Sequence, residues 1–319
     1  MLDTAFTRLV GCSVPIQQAG MGGIADAPLA RAVSDAGALG MVNMVMVPAT
    51  EVAARLEVMA EQTDGVFGIN FLMPFLDVAA VEASAGVCRV VEFFYGEPDA
   101  SLVARVHRGG ALAVWQVGTA EEARQAEGAG CDFLVAQGVE AGGHVRGRLG
   151  VLTLLAQVLD SVAVPVLAAG GIGTGRAMAG ALAAGAAGVR VGTRFVAAAE
   201  SPAHPAYVDA LLGAGSGDTV VTTAFSVMWP DAPHRVLASC VEAMKAFEGD
   251  VVGEMRMGDM SVPIPKGAVP CPRKDTTGAI EAMPLYAGES VDAVTRRQPA
   301  REIVEELARE AERLLRGWA

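Results

Sequence analysis

VPVLAAGGIGTGRAMAGALAAGAAGVRVGT, residues 164–193, decides the fold. The apolar run Val164-Pro165-Val166-Leu167-Ala168-Ala169 stops at Gly170-Gly171, the pattern of a buried parallel strand ending in a tight turn. Gly170, Gly171, Gly173 and Gly175 leave backbone N–H groups bare of side chains, just ahead of a helix starting near Thr174. Bare amides and the positive end of a helix dipole both suit a phosphate. Gly185 ends that helix, and a second strand, Gly188-Val189-Arg190-Val191, closes on Gly192-Thr193. Two consecutive strands, each ending in a candidate phosphate turn, match strands seven and eight of a (β/α)8 barrel, whose loops are the usual phosphate site. Glycines that merely permit turns are the plain alternative. No G-x-G-x-x-G falls across the turn, so it is not a dinucleotide fingerprint.

Working outward, the same phrase recurs: a helix, an Ala-Gly or Gly-Ala stop, then an apolar run, as in SDAGALGMV and EGAGCDFLVA. Strands are expected at Pro15–Ala19, Ala38–Val42, Phe67–Phe71, Arg89–Phe94, Ala111–Val117 and Phe133–Ala136, and the opening stretch supplies the last two. Helices fall between them, with Gly37 placed as a C-cap after Pro28–Ala36 and Thr50 as an N-cap before Thr50–Met59. Eight such units predict an α/β chain, a (β/α)8 TIM barrel over residues 1–213, followed by a C-terminal lid or helical extension over 214–319. Ala203–Leu212 is expected as the eighth helix, Ala232–Phe247 as a helix of the extension, and Met255–Met283 as a flap with little periodicity. Met255, Met257 and Met260 would fill gaps there, or line an adaptable pocket. Arg301–Arg316 closes the chain as an amphipathic helix docked on the barrel. An open doubly wound sheet is the rival architecture, but it would normally carry the missing fingerprint.

The composition narrows the function classes. A net charge of -12 and a pI near 4.8 argue against a general nucleic-acid or anionic-membrane binder, while leaving room for a local anion site. Gly and Ala interrupt the apolar sequence too often for a membrane span, and no secretory leader is read at Met1–Gln17. Five scattered cysteines without a CxxC pair predict idle thiols in a reducing cytoplasm.

Barrel chemistry sits where strands end. The residues at those ends are Gln18, Gly20 and Met21, then Asn70, Gln116, Gln137 and Gly138, then the two glycine turns. Amides dominate, and there is neither a metal-ligand cluster nor a G-x-S-x-G elbow. Neutral donors and acceptors around an apolar mouth suit a flat heteroaromatic ligand with a phosphate tail, the profile of flavin mononucleotide (FMN). The strand-six loop, QGVEAGGH at 137–144, adds His144 as the titratable group placed to act on a substrate. Glu140 is expected to organise the loop, and His107, His204 and His234 to be structural.

PIQQAGMGG (15–23), GIN (68–70), QGVEAGGH (137–144), VLAAGGI (166–172) and VGTRF (191–195), in this order, resemble the nitronate monooxygenase family, formerly 2-nitropropane dioxygenases. Close kin of that family are enoyl-acyl carrier protein reductase II and a flavin NADH:quinone reductase. The resemblance is firm over Pro15–Pro205 and loose beyond. It implies an FMN-dependent barrel with ring contacts at Ala19, Gly20, Met21, Asn70, Gln116, Gln137 and Gly142. It implies phosphate contacts at Gly170, Gly171, Gly192 and Thr193, and His144 as the active-site histidine. Two departures stand out: Gln116 replaces a lysine found in some relatives, and GGHVRG displaces Arg146 by one residue from the commoner GGHRG. The activity so implied is oxidation of alkyl nitronates, with nitroalkanes left open, by O2 to a carbonyl compound and nitrite, His144 holding the nitronate or removing the α-proton of a neutral nitroalkane as general base. An NAD(P)H-dependent reductase of enoyl thioesters or quinones is the alternative within enzymes, and a flavin-binding sensor the alternative outside them. The partners expected are a small-molecule substrate and O2, with no nucleic acid or membrane, and a homodimer is left open.

Overall fold

Eight parallel strands, each followed by a helix, make the frame that holds the strand ends together. The computed structural model describes residues 2–45, 47–258 and 260–317. The barrel strands are β1 (Ile16–Gln18), β2 (Gly40–Asn43), β3 (Phe67–Leu72), β4 (Val90–Phe94), β5 (Leu112–Val117), β6 (Phe133–Gln137), β7 (Val166–Ala169) and β8 (Gly188–Val191). All pair in parallel in the order β1-β8-β7-β6-β5-β4-β3-β2. The ring is nearly closed, with β1 and β2 joined through Leu39 N to Ile16 O and Gln18 N to Leu39 O, both 2.9 Å. Asp26, Asp77, Asp99, Thr119 and Thr174 each cap a following helix with a side-chain oxygen, which fixes where each strand-to-helix loop ends. The helix Ala49–Ala60 instead begins after Pro48, with no side-chain cap, so Thr50 lies inside it.

Side chains alternate between the lumen and the surrounding helices. At the N-terminal ends of the strands the lumen is apolar, with Leu39, Met41, Val90, Val114, Phe133 and Leu167 packed together. A helix absent from the sequence reading, Ala5–Val10, plugs this end and places Phe6 edge-on to Phe133 at 5.3 Å. One layer higher the lumen turns polar, with Gln17, Asn70, Glu92, Gln116, Gln137 and Arg190 all buried. A barrel whose lower half is a dry plug and whose upper half is polar can host chemistry at one end only.

After β8 the chain departs from expectation in three places. Pro205–Leu212 does not take the eighth helix position; it packs on the 3-10 turns Ile280–Ala282 and Glu289–Ala293. The final helix, Ala300–Arg316, lies against Gly175–Ala183 and against Ala27–Asp35, between the seventh helix and the first. The intervening segment is thus inserted between the last strand and the helix that completes the outer ring. The expected helix Ala232–Phe247 is split: His234–Leu237 is a strand and only Ala238–Ala246 is helical. Met255–Met283 is not structureless, since Val251–Met257 and Met260–Pro265 form an antiparallel hairpin with Thr277–Gly278 on its edge. Met255 packs against the core and Met260 is exposed, while the side chain of Met257 lies outside the described part. No helix among the described residues is long and apolar enough to cross a membrane.

Candidate active site

The C-terminal mouth of the barrel is roofed by the inserted segment. Within the strand-six loop Gly143–His144 forms a short strand, pairing antiparallel with His234–Leu237, which pairs in turn with Thr219–Thr222. This three-stranded roof fixes the backbone of His144 opposite His234. Arg235 holds it down by donating from Nε and Nη2 to Val139 O at 3.1 and 2.9 Å. Glu140 organises the same loop as expected, its carboxylate accepting from Val151 N at 2.9 and 3.0 Å to start the next helix.

The His144 ring is enclosed by aromatic side chains. Trp229 stacks on it with centroids 3.9 Å apart, Tyr95 approaches edge-on at 5.9 Å, and Tyr286 lies at 5.8 Å. His234 sits 5.2 Å away. Its Nδ1 donates to Ala232 O at 2.9 Å and its Nε2 accepts from Phe225 N at 3.4 Å, so both nitrogens are committed and the ring is neutral. His144 differs, because its Nε2 is buried without a partner. Burial, and next the neighbouring His234, push the His144 imidazole down to about 3, so it is neutral at physiological pH. Arg146 bonds Glu122 at 2.7 Å and Glu97 at 3.1 Å with its guanidinium over the Tyr95 ring, which ties the loop after β4 to that after β6.

Opening this enclosure should be visible in the histidine itself. Trp229 is 6% exposed and covers one face of the imidazole. Trp229→Ala admits water, relieves the desolvation and raises the His144 pKa from about 3 toward the ordinary 6.5. Histidine titration by NMR reads this directly, and an unchanged pKa would show that the tryptophan is not what dries the site.

Of the residues singled out in sequence, Asn70, Gln116 and Gln137 meet in the polar layer. Asn70 donates to Glu92 Oε1 at 2.7 Å and accepts from Asn43 Nδ2 at 3.1 Å. Gln137 Nε2 donates to His144 O at 3.0 Å, and its Oε1 is buried with no partner. Ala19 and Met21 follow β1, but their N–H groups already donate to Val191 O and Ala19 O. Gly20 and Gly142 have packing reasons to be glycine: a Cβ would lie 2.4 Å from Asn70 Cβ and 2.5 Å from Gly288 N, respectively. The same holds for Gly173 and Gly175, where a Cβ would run into Ser290 and Ala293 or into Glu310 of the final helix. Their bareness therefore makes room for the turn Glu289–Ala293 and for the final helix, a packing reason independent of any phosphate.

Gly170 and Gly171 adopt φ of +105° and +67°, a left-handed turn that glycine favours. Gly192 has a negative φ and its Cβ would find ordinary contact distances of 3.5 Å and more. Neither conformation nor packing demands glycine there. The N–H groups of Gly170, Gly171, Gly192 and Thr193 have no protein acceptor among the described residues. Thr193 Oγ1 accepts from Gly288 N at 3.0 Å and keeps its own proton to donate. Arg194 links the two turns by donating to Gly173 O at 3.2 Å. Unspent amides on two adjacent turns, with orphaned polar atoms of Gln137 and His144 over an amide-lined floor, fit a phosphate-bearing, hydrogen-bonding planar group such as FMN.

A family model described as nitronate monooxygenase matches residues 3–88 and 78–310. The chain belongs to the nitronate monooxygenase family. The flavin associated with that family is FMN. Among curated relatives, a Mycobacterium tuberculosis protein named "(3aS,4S,5R,7aS)-5-hydroxy-7a-methyl-1-oxo-octahydro-1H-indene-4-carboxyl-CoA dehydrogenase" is 39% identical over 240 residues, 74% of this chain. The match spans 66% of that relative's length. FabK from Thermotoga maritima has a TM-score of 0.83 at 30% identity over 100% of both chains. A nitroalkane oxidase from Streptomyces ansochromogenes has a TM-score of 0.78 at 30% identity, covering 99% of this chain and 100% of that one.

Residues missed in sequence complete this nitronate monooxygenase-family site: Trp229, Tyr95 and Tyr286 around His144, and Glu92 with Arg190 beneath. The charged pair did carry a signal, each being a lone charge inside an apolar strand, VVEFF and GVRV. The aromatics carried none, since they come from separate loops brought together by the roof.

Proposed function

We propose that this member of the nitronate monooxygenase family oxidises alkyl nitronates with O2 to a carbonyl compound and nitrite, using FMN held at the barrel mouth. The observation that carries the reading is His144 Nε2, buried, neutral and unpartnered inside an aromatic enclosure. When bound, FMN supplies the reversible electron acceptor. Gly170, Gly171, Gly192 and Thr193 would hold its phosphate through their unspent amides, and Asn70, Gln116 and Gln137 would meet its ring, with Ala19, Gly20, Met21 and Gly142 around it.

His144 would donate from Nε2 to a nitronate oxygen, a charge-assisted hydrogen bond strengthened by the dry surroundings. With its pKa depressed by burial, the ring is a weak base, so a preformed nitronate suits it better than a neutral nitroalkane that must first lose a proton. Tyr95, Trp229 and Tyr286 would exclude water and select a small apolar alkyl group.

A second reading is favoured by one finding, the 39% identity to a relative named for a carboxyl-CoA substrate. On that reading the substrate is a CoA thioester, oxidised at the flavin as the relative's name has it or, with NAD(P)H as donor, reduced there, and the enclosure opens to admit it. Which donor reduces the flavin, a nitronate or a nicotinamide, separates the two.

A further inference from the structure

The floor of the site contains a buried ion pair that belongs to no motif. Glu92 on β4 and Arg190 on β8 are 0% and 6% exposed and pair across the lumen. Glu92 Oε1 accepts from Asn70 Nδ2 at 2.7 Å and Oε2 from Gln17 Nε2 at 3.0 Å. Arg190 Nε donates to Gln17 Oε1 at 3.3 Å and Nη1 donates to Gln116 Oε1. A carboxylate only accepts and a guanidinium only donates, so this pair dictates how each neighbouring amide is turned. Gln17 must point its nitrogen at Glu92 and its oxygen at Arg190. Gln116, with its oxygen committed to Arg190, keeps its NH2 free, with no partner among the described residues. On the adjacent strand Gln137 has the opposite vacancy, an acceptor Oε1 with no donor. The mouth therefore offers one donor and one acceptor on neighbouring strands, and the donor is set by Arg190.

Gln116 is neutral, so β5 brings no cation to this layer. Arg190 brings one from β8 to the oxygen of that same glutamine. We infer that the Glu92–Arg190 pair is a positioning device that fixes Gln116 as a hydrogen-bond donor and places a cation in this layer, thereby setting the reduction potential of the bound flavin. The inference rests on the reading that FMN occupies the barrel mouth. A flavin gains negative charge on reduction, and in a low-dielectric layer a nearby guanidinium stabilises that form, while Glu92 tempers the effect.

The test is the midpoint potential of reconstituted holoenzyme, read against a reference dye. Glu92→Gln keeps the side-chain shape and leaves Arg190 uncompensated. It should raise the affinity for reduced over oxidised FMN by about tenfold, ~30 mV upward for two electrons. Arg190→Gln leaves the carboxylate uncompensated and should shift the potential downward by a similar factor. The double variant has no buried charge and should fall between them. A merely structural pair would lower the thermal midpoint of every variant and move the potentials in one direction or not at all. If Arg190→Gln fails to fold, Glu92→Gln against the double variant decides: a higher potential in Glu92→Gln supports the inference, and an equal or lower one overturns it. Same-sign shifts in flavin-loaded variants overturn this inference alone. A wild-type protein that takes up no FMN overturns the cofactor reading, and the inference with it.

Discussion

Gly171→Asp should fold and come away colourless, whereas Gly171→Asn should keep most of its FMN. Gly171 sits at φ +67°, where Asn and Asp are the side chains that tolerate the left-handed region best, so backbone strain is nearly matched in the two variants. A Cβ there would meet Glu140 Cβ at 3.4 Å, an ordinary contact, so neither side chain is excluded by bulk. What separates them is charge. The aspartate would stand at the unspent amides of Gly170 and Gly171 and repel a phosphate over a few ångströms. Flavin absorbance per chain after gel filtration, with circular dichroism as the check on folding, reads the outcome. Equal flavin content in the two variants would place the phosphate elsewhere.

His144→Ala should keep its FMN and lose about tenfold to a hundredfold of its rate on a preformed alkyl nitronate. The retention follows because the proposed phosphate and ring contacts come from other loops. The loss corresponds to one hydrogen bond to a charged group, roughly 1.5–3 kcal/mol. The sign of the pH dependence is fixed by the depressed pKa: below the ordinary value of 6.5 and down to about 3 the folded imidazole stays neutral. The wild-type rate on preformed nitronates should therefore show no inflection from His144 between pH 5 and 8, where an ordinary histidine would titrate. A neutral nitroalkane should be turned over slowly, because a base this weak removes its α-proton poorly. A sigmoid centred near pH 6.5 that disappears in His144→Ala would reinstate His144 as the general base.

The fold was legible because a parallel barrel repeats one sentence eight times, and each apolar strand stops at a small residue. All eight strands lie where the sequence places them, within two residues at either end. The misses share a cause. Ala5–Val10 is too short to show a helical period, and its burial depends on a lumen formed by all eight strands. His234–Leu237 runs without punctuation into Ala238–Ala246, so the strand reads as the first turn of a helix; only pairing with Gly143–His144 makes it a strand. The true eighth helix was seen as an amphipathic helix, but its place in the ring could not be inferred across an insertion of about a hundred residues.

The site divides in the same way. Amides at strand ends are visible because position along a strand predicts the mouth of a barrel. His144 was visible for the same reason, but its protonation was not, since that comes from Trp229, Tyr95, Tyr286 and His234 in loops far along the chain. Glu92 and Arg190 lie inside strands that the sequence places correctly, but strands four and eight are far apart in the chain, so only ring closure shows that the two charges pair. They are tolerated there because each is the other's counter-charge, with Gln17, Asn70 and Gln116 adding hydrogen bonds to the pair.

The most direct test of the account is anaerobic mixing of the FMN-loaded protein with an alkyl nitronate, followed at the flavin absorbance band, beside the same experiment with NADPH. A nitronate is already a carbanion-like donor, so the account predicts bleaching by nitronate within the turnover time and slow or no bleaching by NADPH. Readmitting air should restore the colour and release nitrite. Rapid bleaching by NADPH with no response to nitronate would contradict it, and would make the chain a reductase with the same barrel.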